Sequence, residues 1–211
     1  MGELASSGAQ ERAVAAPQSL PVGPVGRRGN GYWGVGTLIA TEAALFSYLL
    51  FAYFYTGATA QAGWVLESHP PLKLALPNTL LLLLSSVAAW IGETGVLRGD
   101  RPRALMGFAA AFFMGLAFAL VQVFEWHAKP FALGTSSYAS LYFVTTGFHI
   151  AHVLVGLVVL AALFGWTLLD YFSPRRRLTV SAGVLYWHFV DGVWLFVFTT
   201  YYVTPYLGFG V

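Results

Sequence analysis

Glu42, His149, His152, His188 and Asp191 stand inside long apolar stretches of the chain, where an ionisable side chain is costly and asks for a partner. His149/His152 and His188/Asp191 are i, i+3 pairs, so each pair shares one face of a helix. With a rise of ~1.5 Å per residue, Glu42 falls roughly 15 Å into its span and Asp191 about 14 Å into another, both near the middle of an apolar slab. Glu42 has only Thr41 and Ser47 as polar neighbours on its own helix. Burial disfavours the charged form of such a carboxyl unless another helix supplies a cation. Asp191 beside His188 suits an intrahelical hydrogen bond or ion pair. Three chemistries use a set of this kind. His149 or His152 facing His188, with Asp191 and Glu42 added, would make a haem or metal site. The same groups in a line would relay protons or substrate. Joined pairwise between helices, they would be structural hydrogen bonds. Glu93 and Glu125 fall at the ends of their apolar stretches, in reach of water.

The elements that must carry these groups follow from composition. Of 211 residues, 57% are hydrophobic, 17% aromatic and 9% charged, whereas soluble domains carry about 25% charged residues. A net charge of +2, scattered along the chain, gives no nucleic-acid footprint. The lack of cysteine excludes a disulfide scaffold, thiolate metal sites, iron–sulfur ligation and thiol catalysis. Five apolar stretches, near residues 32–56, 76–97, 104–124, 140–169 and 182–206, are each long enough to cross a hydrocarbon core as a helix. Their continuous rather than alternating character argues against strands. The fold expected is therefore all-α, an integral membrane bundle of five transmembrane helices occupying residues 32–211. Residues 1–31, rich in Gly, Ala, Ser, Pro and Gln with no apolar run, read as a flexible cytoplasmic tail. With five crossings, one side collects Arg12, Arg27, Arg28, Arg98, Arg101, Arg103, Arg175, Arg176 and Arg177, and the other only Lys73 and Lys129. That asymmetry predicts a cytoplasmic N-terminus and an outside C-terminus. Gly29 to Gly34 has the spacing of a dinucleotide loop, but it follows a basic tail instead of a strand and opens a membrane helix, so it carries no such function.

Several segments go further. Tyr186-Trp187-His188-Phe189-Val190-Asp191-Gly192-Val193-Trp194-Leu195-Phe196 resembles the last helix of cytochrome c oxidase subunit III, the subunit 3 family of haem–copper terminal oxidases. Thr146-Gly147-Phe148-His149-Ile150-Ala151-His152-Val153 is similar to the G-F-H-x-x-H-V segment on that family's preceding helix. Thr41-Glu42-Ala43-Ala44-Leu45-Phe46 resembles its S/T-E-x-x-x-F motif, Pro77-Asn78-Thr79 its L-N-T helix start, and Gln122, Glu125 and Pro130 its Q-x-x-E-Y…P-F stretch. The matches occur in family order from about Trp33 to Val203, in the pattern of a five-helix bacterial member corresponding to the last five of seven helices in the long form.

The resemblance implies a subunit that carries no catalytic centre, metal or cofactor of its own. Haems and copper would reside in subunits I and II. The chain would pack on subunit I, hold phospholipid, and support oxygen reduction coupled to proton pumping, with cytochrome c engaged only through subunit II. Glu42 matches a buried carboxyl associated with the lipid-filled region proposed to admit oxygen. His149, His152, His188, Asp191, Glu125 and Trp187 match a structural polar network that binds helices together. A subunit III of a quinol oxidase, or a homologue associated with nitric oxide reductase, would share these motifs. The expected location is a bacterial inner (plasma) membrane.

Overall fold

The computed structural model describes residues 30–67, 69–172 and 178–210, with side chains from Trp33 onward. The tail expected over residues 1–31 falls almost wholly outside the described residues. So do Arg12, Arg27, Arg28, Arg175, Arg176 and Arg177, which entered the orientation argument. Five helices make up the described chain: α1 (Asn30–Thr59), α2 (Leu72–Arg98), α3 (Arg101–Ala128), α4 (Ser137–Leu168) and α5 (Leu178–Phe198). All five are long and apolar enough to cross a membrane, and no strand occurs among the described residues. Helices suit the setting because they satisfy every backbone N–H and C=O internally where no water is at hand.

Several ends lie beyond the apolar runs, because polar residues close the helices. The α2–α3 connection is only Gly99-Asp100. Gly99 adopts φ +71°, and the N–H groups of Gly99 and Asp100 donate to Val96 and Gly95 carbonyls, so the left-handed residue that ends α2 must be glycine or pay in strain. Asp100 then caps α3, its side chain accepting from Arg103 N at 3.1 Å, and Ser136 caps α4 in the same way at Ala139 N. Pro77 does not open α2, which starts at Leu72 and contains it. Near the N-terminus a proline leaves only the Lys73 carbonyl without its helical bond, so the helix passes through. Arg101 closes the opposite helix end, its guanidinium donating to the Thr167 carbonyl at 3.1 Å and to the Leu168 carbonyl. These are orphan acceptors at the negative end of α4.

The tight α2–α3 hairpin rests on small residues. A β-carbon on Gly95 would lie 2.5 Å from Ala104 N, and one on Gly107 would overlap the Gly92 backbone. Ala104, Gly107, Ala111 and Gly115 line one side of α3, all buried, the small-residue seam that lets membrane helices approach closely. The last span is the most enclosed, and α5 presents Trp187 and Trp194 to the core seven residues apart, as a/d-type packing requires. Beyond Phe198 the helix widens into a π turn (Thr199–Val203) and ends in a 3₁₀ turn (Thr204–Leu207). The wide turn allows the consecutive residues Thr200, Tyr201 and Tyr202 all to be buried. α1 is the least buried span. An apolar groove of about 380 Å³ runs beside it, lined by Val35, Leu38, Val155, Val158, Trp166 and Tyr186. A second, of about 290 Å³, lies between Phe46 and Leu50 of α1 and Phe189, Val193 and Phe196 of α5.

Candidate functional site

The polar side chains of the spans collect at helix–helix contacts, and each contact has its own chemistry. α1 and α4 are joined by Glu42 and His152, with His152 Nε2 2.9 Å from Glu42 Oε2. The other ring nitrogen, Nδ1, lies 2.7 Å from the Phe148 carbonyl. A carbonyl can only accept, so Nδ1 carries a hydrogen. The 2.9 Å contact then needs one further proton, held either by Nε2 as an ion pair or by the carboxyl as a neutral acid. The sequence left Glu42 without a partner on its own helix; the partner is a histidine one helix away, and the two side chains share a proton. Their side chains are 26% (Glu42) and 14% (His152) exposed.

α2 and α5 are joined by Ser86, His188 and Asp191. Sequence spacing suggested a direct His188–Asp191 bond. Instead Ser86 of α2 stands between them, donating to Asp191 Oδ2 and lying 2.9 Å from His188 Nδ1. The i, i+3 spacing puts the two side chains on one face, but a hydroxyl from the neighbouring helix bridges them better than they reach each other. His149 has gone elsewhere again. Fully buried, it is packed edge-on to Phe118 at 5.8 Å and against Trp194 at 4.8 Å. Its Nε2 donates to the Val190 carbonyl at 3.2 Å, while Nδ1 has no partner. The histidines therefore do not face one another as a haem or metal site would need. Among the described residues no group of three or more His, Asp or Glu side chains is placed to hold a metal ion.

Trp187 is the central fastener. Its indole N–H donates to Ser85 of α2 at 3.0 Å, and its ring fills the space left by Gly115 of α3 and Gly156 of α4, where a β-carbon would come within 2.5 Å of it. One turn of the heptad on, Trp194 repeats the arrangement, donating to Thr79 at 3.0 Å and meeting Phe118 at 4.9 Å.

Glu125 departs most from expectation. Read as a helix-end carboxyl in reach of water, it is buried, because α3 continues to Ala128 and two connections fold over it. Tyr202 donates to its Oε1 at 2.5 Å, and Tyr142 lies 3.1 Å from Tyr202 Oη. Lys129 sits 3.8 Å from Glu125 and 2.6 Å from Glu67 of the α1–α2 connection. Its ammonium stands 5.1 and 5.5 Å from the ring centroids of Tyr142 and Tyr202, in cation–π range. Glu67, Lys129 and Ser86 were missed by sequence reasoning. The first two had a signal, since Lys129 is one of only two cations expected on that side; a serine in an apolar helix had none.

With this geometry in place, the comparisons are specific. The profile of the family described as cytochrome c oxidase subunit III matches residues 27–206. The chain is 31% identical over 177 residues to the cytochrome c oxidase subunit 3 of Locusta migratoria, covering 81% of this chain and 67% of that protein. It is 32% identical to that of Trichophyton rubrum over 181 residues, 82% and 67% of the two chains. To that of Bos taurus it is 32% identical over 186 residues, 85% and 71%.

Proposed function

The chain belongs to the cytochrome c oxidase subunit III family, and from that premise we propose that it is the non-redox subunit III of an aerobic terminal oxidase in a bacterial plasma membrane. It packs on subunit I, with subunit II in the same complex. It holds phospholipid and supports oxygen reduction coupled to proton pumping. Haems and copper stay in subunits I and II, and cytochrome c is met through subunit II.

The observation that carries this reading is the use of the intramembrane polar groups. His149, His152 and His188 each bond a different helix or backbone group, so the network ties α1, α2, α4 and α5 together, as a scaffold needs. The grooves of about 380 and 290 Å³ flanking α1 suit acyl chains, and Glu42 stands beside them as the carboxyl of the lipid and oxygen region. The proposed orientation, N-terminus cytoplasmic, is supported by Arg98, Arg101 and Arg103 clustering at the Gly99 turn, whereas Lys129 at the other end is neutralised by carboxylates.

Glu42→Gln tests the reading in the purified complex. Glutamine keeps a donor toward His152 Nε2, so α1 stays attached. Mass spectrometry is expected to find subunits I and II co-purifying with native and variant chains alike, with equal haem content. A hydrophobic carbodiimide, which reacts with protonated carboxyls in lipid, should label the native chain at residue 42 and not the variant. Haem loss in the variant would overturn the cofactor-free assignment. Absence of subunits I and II from the native preparation would overturn the assignment to an oxidase complex of this kind.

A further inference from the structure

The fold assigns no task to the hydrogen-bond chain through Ser86, yet its hydrogen count is restrictive. A serine hydroxyl has one hydrogen. Here it is given to Asp191 Oδ2, so the 2.9 Å contact with His188 Nδ1 requires the imidazole to donate. The chain therefore runs His188 Nδ1–H to Ser86 Oγ–H to Asp191 carboxylate. It has one alternative of the same geometry, with every bond reversed: Asp191 O–H to Ser86 Oγ–H to His188 Nδ1. The two differ by where protons sit, not by where heavy atoms sit.

A second observation gives the chain a direction. Asp191 is 3% exposed, and its Oδ1 is buried without a partner, so exchange with water has to pass through Ser86. His188 is only half-buried, and it lies one turn nearer the Gly99 end of the bundle than Asp191. Glu93 lies seven residues beyond Ser86 on the same face of α2, about 10 Å toward the Gly99 end. Among the described residues, the other ionisable side chains of the spans have partners elsewhere. From α4, His149 is engaged with the Val190 carbonyl, and His152 with Glu42 of α1. From α3, Glu125 is held by Tyr202 and Lys129 at the far end of the bundle.

We propose that Asp191, Ser86 and His188 form a proton-loading site within this chain, taking a proton in at His188 from the Glu93 side and holding it on Asp191. The step balances as follows. A proton arriving from the Gly99 end of the bundle binds His188 Nε2. The Nδ1 proton passes to Ser86 Oγ as the serine's own proton passes to Asp191 Oδ2. The imidazole is left neutral with its hydrogen on Nε2, the serine is unchanged, and the carboxyl is a neutral acid. One proton has entered, and no bond between heavy atoms has formed or broken. This goes beyond a scaffolding role, which needs the same side chains bonded but not reversible.

Infrared difference spectroscopy on the native complex, across a pH titration, tests it. The carboxylic C=O band assigned by its loss in Asp191→Asn should rise as pH falls, together with a tautomer change in the imidazole modes of His188, in one common step. Ser86→Thr, which retains the hydroxyl, should preserve that step. Ser86→Ala should separate the two signals, and His188→Phe should slow hydrogen–deuterium exchange of the Asp191 carboxyl. The proposal fails if the native complex shows no step common to both groups. It also fails if Ser86→Ala titrates as the native protein does, or if exchange at Asp191 is unchanged by His188→Phe. The native titration alone decides the matter should Ser86→Ala not assemble.

Discussion

Replacing Gly107 by leucine is expected to abolish recovery of folded chain from the membrane. A β-carbon there would stand 2.6 Å from the Gly92 α-carbon and 2.7 Å from the Ala88 carbonyl oxygen. Both are backbone atoms of α2, which no rotamer change moves aside. Lipid tails are as apolar as a leucine side chain, so nothing hydrophobic pulls two membrane helices back together once they are wedged apart; close van der Waals packing holds them. The neighbouring contact at Gly95 and Ala104 belongs to the same seam, and the Gly99-Asp100 turn leaves the hairpin no slack to absorb the displacement. Gly147→Ala is the control, since a β-carbon at Gly147 meets nothing within 4 Å. Size-exclusion profiles of detergent-extracted protein should show near-complete loss of the monodisperse species for Gly107→Leu and a native profile for Gly147→Ala. Native recovery of Gly107→Leu would contradict the packing described for α2 and α3.

Lys129→Met is expected to destabilise the chain by about 3–5 kcal/mol, the range for removing one partner of a buried ion pair. The Lys129 side chain is 4% exposed, and its ammonium lies between Glu67 at 2.6 Å and Glu125 at 3.8 Å. Without it the buried Glu125 carboxyl and the partly exposed Glu67 carboxylate lose their shared cation, and Glu125 keeps only the Tyr202 hydrogen bond. The loss arises from uncompensated charge and not from lost packing, so a second change should reverse part of it. Lys129→Met combined with Glu67→Gln should recover a measurable fraction, a non-additivity expected of groups in one network. Thermal unfolding of the complex in lipid nanodiscs, for both singles and the double, reads this out. Equal loss in the single and the double would show that Lys129 acts by packing alone.

What was legible in the sequence, and what was not, divides along physical lines. The five spans were legible because apolar runs of that length have few alternatives in a chain with so few charges. Their ends were not, since Gly99-Asp100, Ser136 and Pro77 act through φ angles and cap bonds that a hydropathy run does not register. The need of Glu42 for a partner on another helix was legible. That the partner is His152 was not, because a helix face can be read from i, i+3 spacing but the helix it meets cannot. The His188–Asp191 pair was found and its bridge was missed. Ser86 is an ordinary helix residue by composition, and only the contact of α2 with α5 gives it meaning. Glu125 was misplaced for the opposite reason. Position along the chain put it at an edge, whereas the folding of Glu67 and Lys129 over that edge made it interior. The seven-residue spacing of Trp187 and Trp194 was present in the letters throughout, and both indoles are buried.

Under the proposed function, electrons of the oxidase do not pass through this chain, which shapes and ties the complex. The most direct measurement is the visible spectrum of the two fractions obtained when the chain is released from the purified complex by mild detergent. All haem absorbance is expected to stay with the remaining subunits, and the released chain is expected to be colourless. A Soret band travelling with the released chain would contradict it.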